Sequence, residues 1–200
     1  MAVFEYGSVE IEYLKRRDKK LGAAIERIGI IERRVVPDPF SSLIMIIVSQ
    51  QISSKAADTV CKRLREMLVE IIPENVANAS ITDIQKCGMS VRKATYINGI
   101  GDAVVSGGLD IAGFDELPDE EIIRQLSSLS GVGLWTAEML LIFSLGRPDV
   151  VSWGDLAIRR GMMNLYGLKS LSKDQFECYR KRYSPYGSVA SLYLWALSVM

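Results

Sequence analysis

Histidine is absent from this 200-residue sequence, and cysteine is scarce. Without histidine, Ser-His and Cys-His nucleophile pairs are excluded, and a zinc site would lack its usual nitrogen ligand. Cys61, Cys87 and Cys178 stand far apart in the sequence, so they predict neither a disulfide framework nor a zinc knuckle. Three cysteines are also too few for the four thiolates of an iron–sulfur cluster. Any acid–base chemistry must therefore use carboxylates, lysines or tyrosines.

The sequence also lacks net charge and long apolar runs. Its 24 Lys and Arg residues balance 24 Asp and Glu residues, so a polyanionic partner would have to meet locally arranged cations. The longest apolar run, residues 43–48, is too short to cross a bilayer, and the charged first twenty residues do not look like a signal peptide. We therefore expect a cytoplasmic protein with no membrane partner.

Apolar residues recur with the period of an α-helix along almost the whole chain, which predicts an all-α fold. Residues 8–28 show this period, with basic side chains opposite the apolar ones. A second long helix is expected to begin at a Ser41 or Ser42 cap and to reach Leu68, with a bend or turn at Ser49-Gln50-Gln51. Only residues 149–152 alternate like a strand. Further helices are expected at residues 81–86, from 91 onward, 119–129, 134–145, 155–165, and on both sides of Ser184-Pro185.

The strongest local signal is Ser130-Gly131-Val132-Gly133, which stands between two predicted helices. Glycines at these two positions allow a tight turn with positive φ and let a ligand approach the backbone closely. The turn precedes the helix that begins at Leu134, where amide N–H groups and the helix dipole favour an anion such as a DNA phosphate. A plain turn between helices is nevertheless the commoner reason for a Gly-x-Gly sequence.

A second element follows about twenty residues later. Gly154-Asp155 precedes the predicted helix that carries Arg159 and Arg160, and Asp155 has the position of a helix N-cap. In isolation, such an aspartate would serve only to satisfy backbone donors.

Together these two segments resemble the helix-hairpin-helix DNA glycosylase superfamily, and within it the 3-methyladenine DNA glycosylase II branch. Residues 47–53 are similar to the segment that fills the gap left by a flipped base, and residues 185–195 to the family's C-terminal helix. The resemblance runs from about residue 40 to the end. This chain differs from the family at Ser130, where the family usually has proline. Its first 36 residues are also too short for the β-domain of longer relatives. The matched positions of the first two segments are Gly131, Val132, Gly133, Trp135, Thr136, Ala137, Asp155, Leu156, Ile158, Arg159 and Arg160.

The resemblance implies a single compact glycosylase domain over residues 1–200, with a DNA-binding cleft between two helical lobes. Lobe one would comprise roughly residues 1–40 and 167–200. Lobe two would comprise residues 41–166 and would contain the helix-hairpin-helix at about 119–145.

The implied activity is hydrolysis of the N-glycosidic bond of alkylated purines, such as 3-methyladenine and 7-methylguanine, after base flipping. By its position in the motif, Asp155 would be the catalytic carboxylate, acting on a sugar with oxocarbenium character. Bifunctional relatives place a lysine nucleophile where this chain has Trp135. The resemblance therefore implies a monofunctional enzyme that leaves the strand intact.

Other roles follow from the same resemblance. Gln51, with Gln50 beside it, would be the wedge that enters the DNA. An electron-rich pocket would attract cationic bases through cation–π interactions, and backbone carbonyls of the hairpin would hold a sodium or potassium ion. No cofactor is required. The pocket candidates are Trp135, Trp195, Trp153, Tyr193 and Met139; the phosphate contacts are Gly131, Gly133, Thr136, Arg159 and Arg160; the carbonyls are those of Ser127, Leu129 and Val132.

Two alternatives stay open. The chain could be a glycosylase for another lesion, such as 8-oxoguanine or a deaminated base, although the missing hairpin lysine weighs against the usual 8-oxoguanine enzymes. It could also be a non-catalytic helix-hairpin-helix protein that only grips phosphate, although such a protein would need neither Asp155 nor Gln50-Gln51. In each case we expect a monomer that binds double-stranded DNA at the nucleoid. A glycosylase would bind that DNA at damaged sites.

Overall fold

The computed structural model describes residues 2–200, and within them the regular structure is helical, apart from one isolated antiparallel bridge between Val3 and Arg34. The predicted all-α fold is confirmed. No helix in the described part of the chain is long and apolar enough to cross a membrane. The helices are α1 Ser8–Arg17, α2 Lys19–Ile28, α3 Pro39–Ser49, α4 Ser54–Leu68, α5 Pro73–Asn78, α6 Ile81–Lys86, α7 Val91–Val105, α8 Asp119–Ser127, α9 Leu134–Phe143, α10 Leu156–Tyr166, α11 Lys173–Tyr183 and α12 Gly187–Leu197, with a 3₁₀ turn at Ala112–Glu116.

Two aspartates set helix boundaries that the apolar pattern did not reveal. Asp18 adopts an extended conformation, and its side chain accepts hydrogen bonds from the next helix, so residues 8–28 form two helices instead of one. Asp38, and not Ser41 or Ser42, is the N-cap of α3. Its carboxylate accepts the N–H of Ser41, and Pro39 occupies the first helical position. Both assignments follow from ordinary capping preferences, because an aspartate oxygen satisfies early amide donors and proline lacks an amide hydrogen.

Other boundaries agree with the sequence patterns. The expected turn after Ser49 is confirmed, because α3 ends there and α4 begins at Ser54. Ser80 and Ser90 cap α6 and α7, which begin at the expected residues 81 and 91. The tail forms two helices separated by residues 184–186. Residues 149–152 do not form a strand, since this segment lies in the loop between α9 and α10.

The chain divides into two compact units. One contains the residues up to Val35 together with Leu141–Met200, and the other contains Val36–Leu140. The second boundary lies near residue 140, whereas the family resemblance implies a boundary near residue 166. The difference arises because α10 packs against α12 and α2.

In the first unit, α10 and α12 cross in close contact at Gly161. A Cβ atom at this position would lie 1.9 Å from the carbonyl oxygen of Leu194, so only glycine permits the observed approach of the two backbones. Ile158 and Met162 of α10 are buried beside this crossing. The packing fixes the axis of α10 and therefore the position of the residue at its N-terminus, Asp155.

In the second unit, the core forms around α7, which packs against α3, α5 and α6. The apolar side of α3 is fully buried, including Leu43, Ile44 and Ile47. Because both α3 and α7 are anchored in this core, their ends can support the turn between α8 and α9.

Candidate functional site

The turn between α8 and α9 depends on a glycine. Val132 donates its N–H to the carbonyl of Leu129 at 3.2 Å, and Gly131 adopts φ +85°. The ring of Tyr96 on α7 lies directly against this glycine, since a Cβ atom there would be only 2.2 Å from Tyr96 Cδ2. Both the backbone conformation and the lack of space therefore require glycine at position 131.

Gly133 has a different environment. A Cβ atom on Gly133 would meet nothing within 4 Å, so open space lies in front of its backbone. The N–H of Ala137 donates to the Gly133 carbonyl at 3.1 Å and closes the first turn of α9. The amides that precede Ala137 therefore lie ahead of the helical hydrogen-bond ladder, at the positive end of the helix dipole. This geometry suits an anion that approaches from solvent.

Gln50 holds the turn from the side of α3. Its Nε2 donates to the Gly131 carbonyl at 3.1 Å and to Thr136 Oγ1 at 2.9 Å. We had expected Gln50 beside Gln51 in a DNA wedge, but its amide is committed to the turn instead. Thr136 is only 2% exposed, and its hydroxyl is engaged by Gln50, so its side chain is not placed to meet a phosphate, and a contact through its backbone amide stays a prediction.

Lys93 supports the same junction. Its Nζ donates to the carbonyls of Val48 and Gln50 at the C-terminal end of α3, where a cation interacts favourably with the helix dipole. Burial lowers the pKa of the Lys93 ammonium. Neither Lys93 nor Tyr96 was expected at this site, because nothing in the sequence of α7 indicates which turn it will contact.

Gln51, unlike Gln50, has the exposed side chain that a DNA wedge requires. It lies in the turn between α3 and α4, its side chain is exposed, and its φ is +58°. A residue with a Cβ atom in this left-handed conformation costs about 1–2 kcal/mol relative to a right-handed one. Such strain is often found at functional positions. The exposed side chain remains compatible with the wedge role.

Asp155 is the N-cap of α10, as the sequence predicted. Its Oδ1 accepts the N–H groups of Ala157 and Ile158, each at 2.9 Å. The residue is 8% exposed, yet Leu156 beside it is 68% exposed, so the helix terminus lies at the surface while the carboxylate is shielded. Two backbone donors and the positive end of the dipole hold this anionic group in one orientation.

The aromatic candidates of the first unit separate into two groups. Tyr193 is 0% exposed, and its hydroxyl donates to the Gly29 carbonyl at 3.1 Å, so it belongs to the core and not to an open pocket. Trp153 and Trp195 are half-buried. Trp195 stacks on Phe143, with centroids 5.3 Å apart and an interplanar angle of 29°.

Two further pocket candidates lie on α9. Trp135 is half-buried in its first turn, whereas Met139 is 3% exposed. The apolar residues of α9, like those of α12, cover all sides of the helix, so its sequence has no period that indicates which residues are covered. This is why Tyr193 and Met139 could not be separated from the tryptophans in advance.

The two arginines of α10 also differ. Arg160 is exposed, as a phosphate contact requires. Arg159 instead lies with its guanidinium carbon 4.7 Å from the centroid of the Trp153 ring. Its Nε is buried and has no hydrogen-bond partner. In this structure Arg159 therefore interacts with Trp153, and its role in phosphate binding stays a prediction.

The zero net charge conceals a separation of charge between the two units. The unit that contains Asp155 has sixteen Lys and Arg residues against ten Asp and Glu, a net charge of +6. The unit that contains the Gly131 turn has eight against fourteen, a net charge of −6. An anion at the turn would therefore be held by backbone amides in an acidic environment, not by a basic patch.

Comparisons with known proteins agree with these features. The pattern of the HhH-GPD superfamily of base excision DNA repair proteins matches residues 44–185. DNA-3-methyladenine glycosylase 1 of Schizosaccharomyces pombe is 34% identical over 166 residues, covering 80% of this chain and 73% of the relative. The crystal structure of a Bacillus halodurans DNA-3-methyladenine glycosidase has a TM-score of 0.85 and 35% identity, covering 99% of this chain and 93% of that one. The S. pombe 3-methyladenine DNA glycosylase in complex with abasic DNA has a TM-score of 0.87 and 28% identity, covering 96% and 98%.

The two neighbouring glutamines should differ sharply in their effect on stability. Gln50→Ala leaves the Gly131 carbonyl and the buried Thr136 hydroxyl without the donor they now share, so we expect the free energy of unfolding to fall by about 1–3 kcal/mol. Gln51→Ala removes only an exposed side chain and should change it by less than about 0.5 kcal/mol. Urea unfolding of both variants measures the difference, and equal values would show that the Gln50 bonds contribute nothing.

Proposed function

Because the chain belongs to the HhH-GPD superfamily of base excision DNA repair proteins, we propose that it is a monofunctional DNA glycosylase for alkylated purines such as 3-methyladenine and 7-methylguanine. Relatives named as 3-methyladenine DNA glycosylases support this substrate class. The observation that carries the proposal is the shielded Asp155 carboxylate, held at the N-terminus of α10 by two backbone N–H groups.

The proposed chemistry requires one fixed negative charge. Departure of the base leaves positive charge on the deoxyribose, as in the transition state of sugar hydrolysis. A pre-oriented carboxylate stabilises that charge without having to reorganise, and its interaction is stronger where water is excluded. Asp155 supplies such a group, and the absence of histidine from the chain is no obstacle.

We propose that a phosphate of the DNA backbone binds at the turn before α9, where it would contact Gly131, Gly133 and the backbone amide of Thr136. Contacts of this kind position the duplex but do not read its sequence. Arg160 is exposed and would add a side-chain contact. Gln51 would enter the helical stack when the target base leaves it.

The half-buried tryptophans, Trp135 in one unit and Trp153 and Trp195 in the other, are the separate candidates for contact with the extruded base. An N-alkylated purine is cationic, so it is attracted by the face of an electron-rich ring. It is also a good leaving group, which permits a broad range of alkylated bases. We retain these three residues as pocket candidates.

A monovalent cation could be held at the C-terminal end of α8 by the carbonyls of Ser127, Leu129 and Val132. Carbonyl oxygens at a helix C-terminus lie at the negative end of its dipole, which favours a cation. We propose sodium or potassium there as a structural ion that would stiffen the turn toward DNA, with no other cofactor required. Since one chain contains both the turn and the carboxylate, we propose that the enzyme acts as a monomer on chromosomal DNA in the cytoplasm.

Replacement of Asp155 tests the central role. Asn caps helices about as well as Asp, so Asp155→Asn should keep α10 intact while removing the charge. We expect the single-turnover release of 3-methyladenine or 7-methylguanine to fall by at least about 10²-fold, with binding of an abasic duplex retained. Asp174→Asn, in the exposed first turn of α11, is the matched control.

Two outcomes would count against the proposal in different ways. Normal turnover by Asp155→Asn would remove the catalytic role from this residue. If the unmodified protein bound DNA but released no base from any lesion duplex, the non-catalytic alternative would be correct.

The absence of strand cleavage can be tested separately. A bifunctional enzyme forms a Schiff base through a lysine amine, whereas this chain has Trp135 at the corresponding position. Borohydride added during turnover should therefore trap no covalent protein–DNA adduct, and the product should be an abasic site in an intact strand. A trapped adduct would show that another lysine acts as nucleophile.

Gly133→Ala tests the phosphate contact. The free protein has space for the added methyl group, so thermal stability should change little. The methyl group would fill the region that a phosphate must approach, and we expect the Kd for duplex DNA to rise by about tenfold, as for the loss of one charge-assisted hydrogen bond. Unchanged affinity in a fluorescence-anisotropy titration would show that the phosphate does not bind there.

A further inference from the structure

The guanidinium of Arg33 lies over the stacked rings of Phe143 and Trp195. Arg33 lies in the segment that follows α2, and its guanidinium carbon is 4.8 Å from the Phe143 ring centroid and 6.0 Å from the Trp195 centroid. Arg33 is exposed, and partial desolvation of its guanidinium lowers the pKa, although arginine stays charged at neutral pH. In the free protein, the two ring faces are thus engaged by a planar, delocalised cation.

The charge of Arg33 is not neutralised nearby. In the described part of the chain Arg33 forms no ion pair. A second cation that approached the same rings would therefore meet a positive charge and compete for the same electron-rich faces. A neutral planar base would meet neither the repulsion nor this competition for cation–π attraction.

We propose that Arg33 is a specificity-determining residue, which competes with permanently cationic bases for the Phe143–Trp195 ring pair and so shifts excision toward neutral bases. This inference depends on the proposed function, since it requires Trp195 to contact the extruded base. The competition lowers the preference for charged bases without abolishing their excision.

The test compares one charged base and one neutral base in the same duplex context. Single-turnover release of 7-methylguanine and of hypoxanthine is timed for the unmodified protein, for Arg33→Gln and for Arg33→Lys. Arg33→Gln keeps much of the side chain but removes its charge, and it should raise the ratio of 7-methylguanine to hypoxanthine release by about 2–5-fold, the value of a cation–π contact at an exposed site. Arg33→Lys retains a cation and should keep the ratio within about 2-fold of the unmodified value.

Arg34→Gln is the matched control, because it removes a neighbouring exposed charge that has no aromatic partner. Its ratio should equal that of the unmodified protein. Should either base be released too slowly to time, the ratio of Kd values for the two duplexes is measured in the Asp155→Asn background instead. Urea midpoints of all variants monitor folding.

The outcomes distinguish this inference from the function on which it rests. Failure of the unmodified protein to release any base would overturn the proposed function. Release of base with the same ratio in the unmodified protein and Arg33→Gln, or an equal change in Arg34→Gln, would overturn the role of Arg33 alone. A uniform loss of both activities would likewise assign Arg33 a structural role only.

Discussion

Two backbone hydrogen bonds to the Asp155 carboxylate hold the group on which the proposed chemistry depends. They orient the carboxylate only because α10 itself is fixed, and α10 is fixed by its close crossing with α12 at Gly161. Gly161 in the middle of α10 and Asp155 at its start therefore together determine the position of the carboxylate. The packing determines where the helix lies, and the cap determines where the charge lies.

The turn before α9 is held by a different means. The family usually has proline where this chain has Ser130, and proline would restrict the backbone directly. Here the contact of Tyr96 with Gly131 and the two hydrogen bonds from Gln50 constrain the turn from outside. The constraint is therefore tertiary, since it comes from α3 and α7, and Lys93 adds to it by binding the end of α3.

Opposite net charges on the two units affect how each part can meet a polyanion. The acidic unit has the backbone turn, where the proposed phosphate contact would use oriented amides and would need no excess of cations. The basic unit has the Asp155 carboxylate, and in the proposed function the net positive charge of this unit would attract the DNA backbone. Arg33 belongs to this basic unit, and its position over Phe143 and Trp195 means that one of its cations also influences the aromatic surface.

The sequence by itself determined the helical class, the Gly131–Gly133 turn and the cap at Asp155, because each follows from contacts within a few residues: the apolar period, the conformational freedom of glycine and the reach of a short carboxylate. It did not reveal the break at Asp18, because the apolar period continues across it, and it put the cap of α3 at Ser41 or Ser42 instead of Asp38. Only the tertiary structure gave Gln50 and Gln51 different environments, and only it buried Tyr193 and Met139. It also brought Tyr96 and Lys93 to their backbone partners. Arg33 reached its aromatic partners in the same way. These outcomes depend on contacts between residues distant in the sequence, and helices that are apolar on all sides, such as α9 and α12, carry no local pattern that predicts which side will be covered.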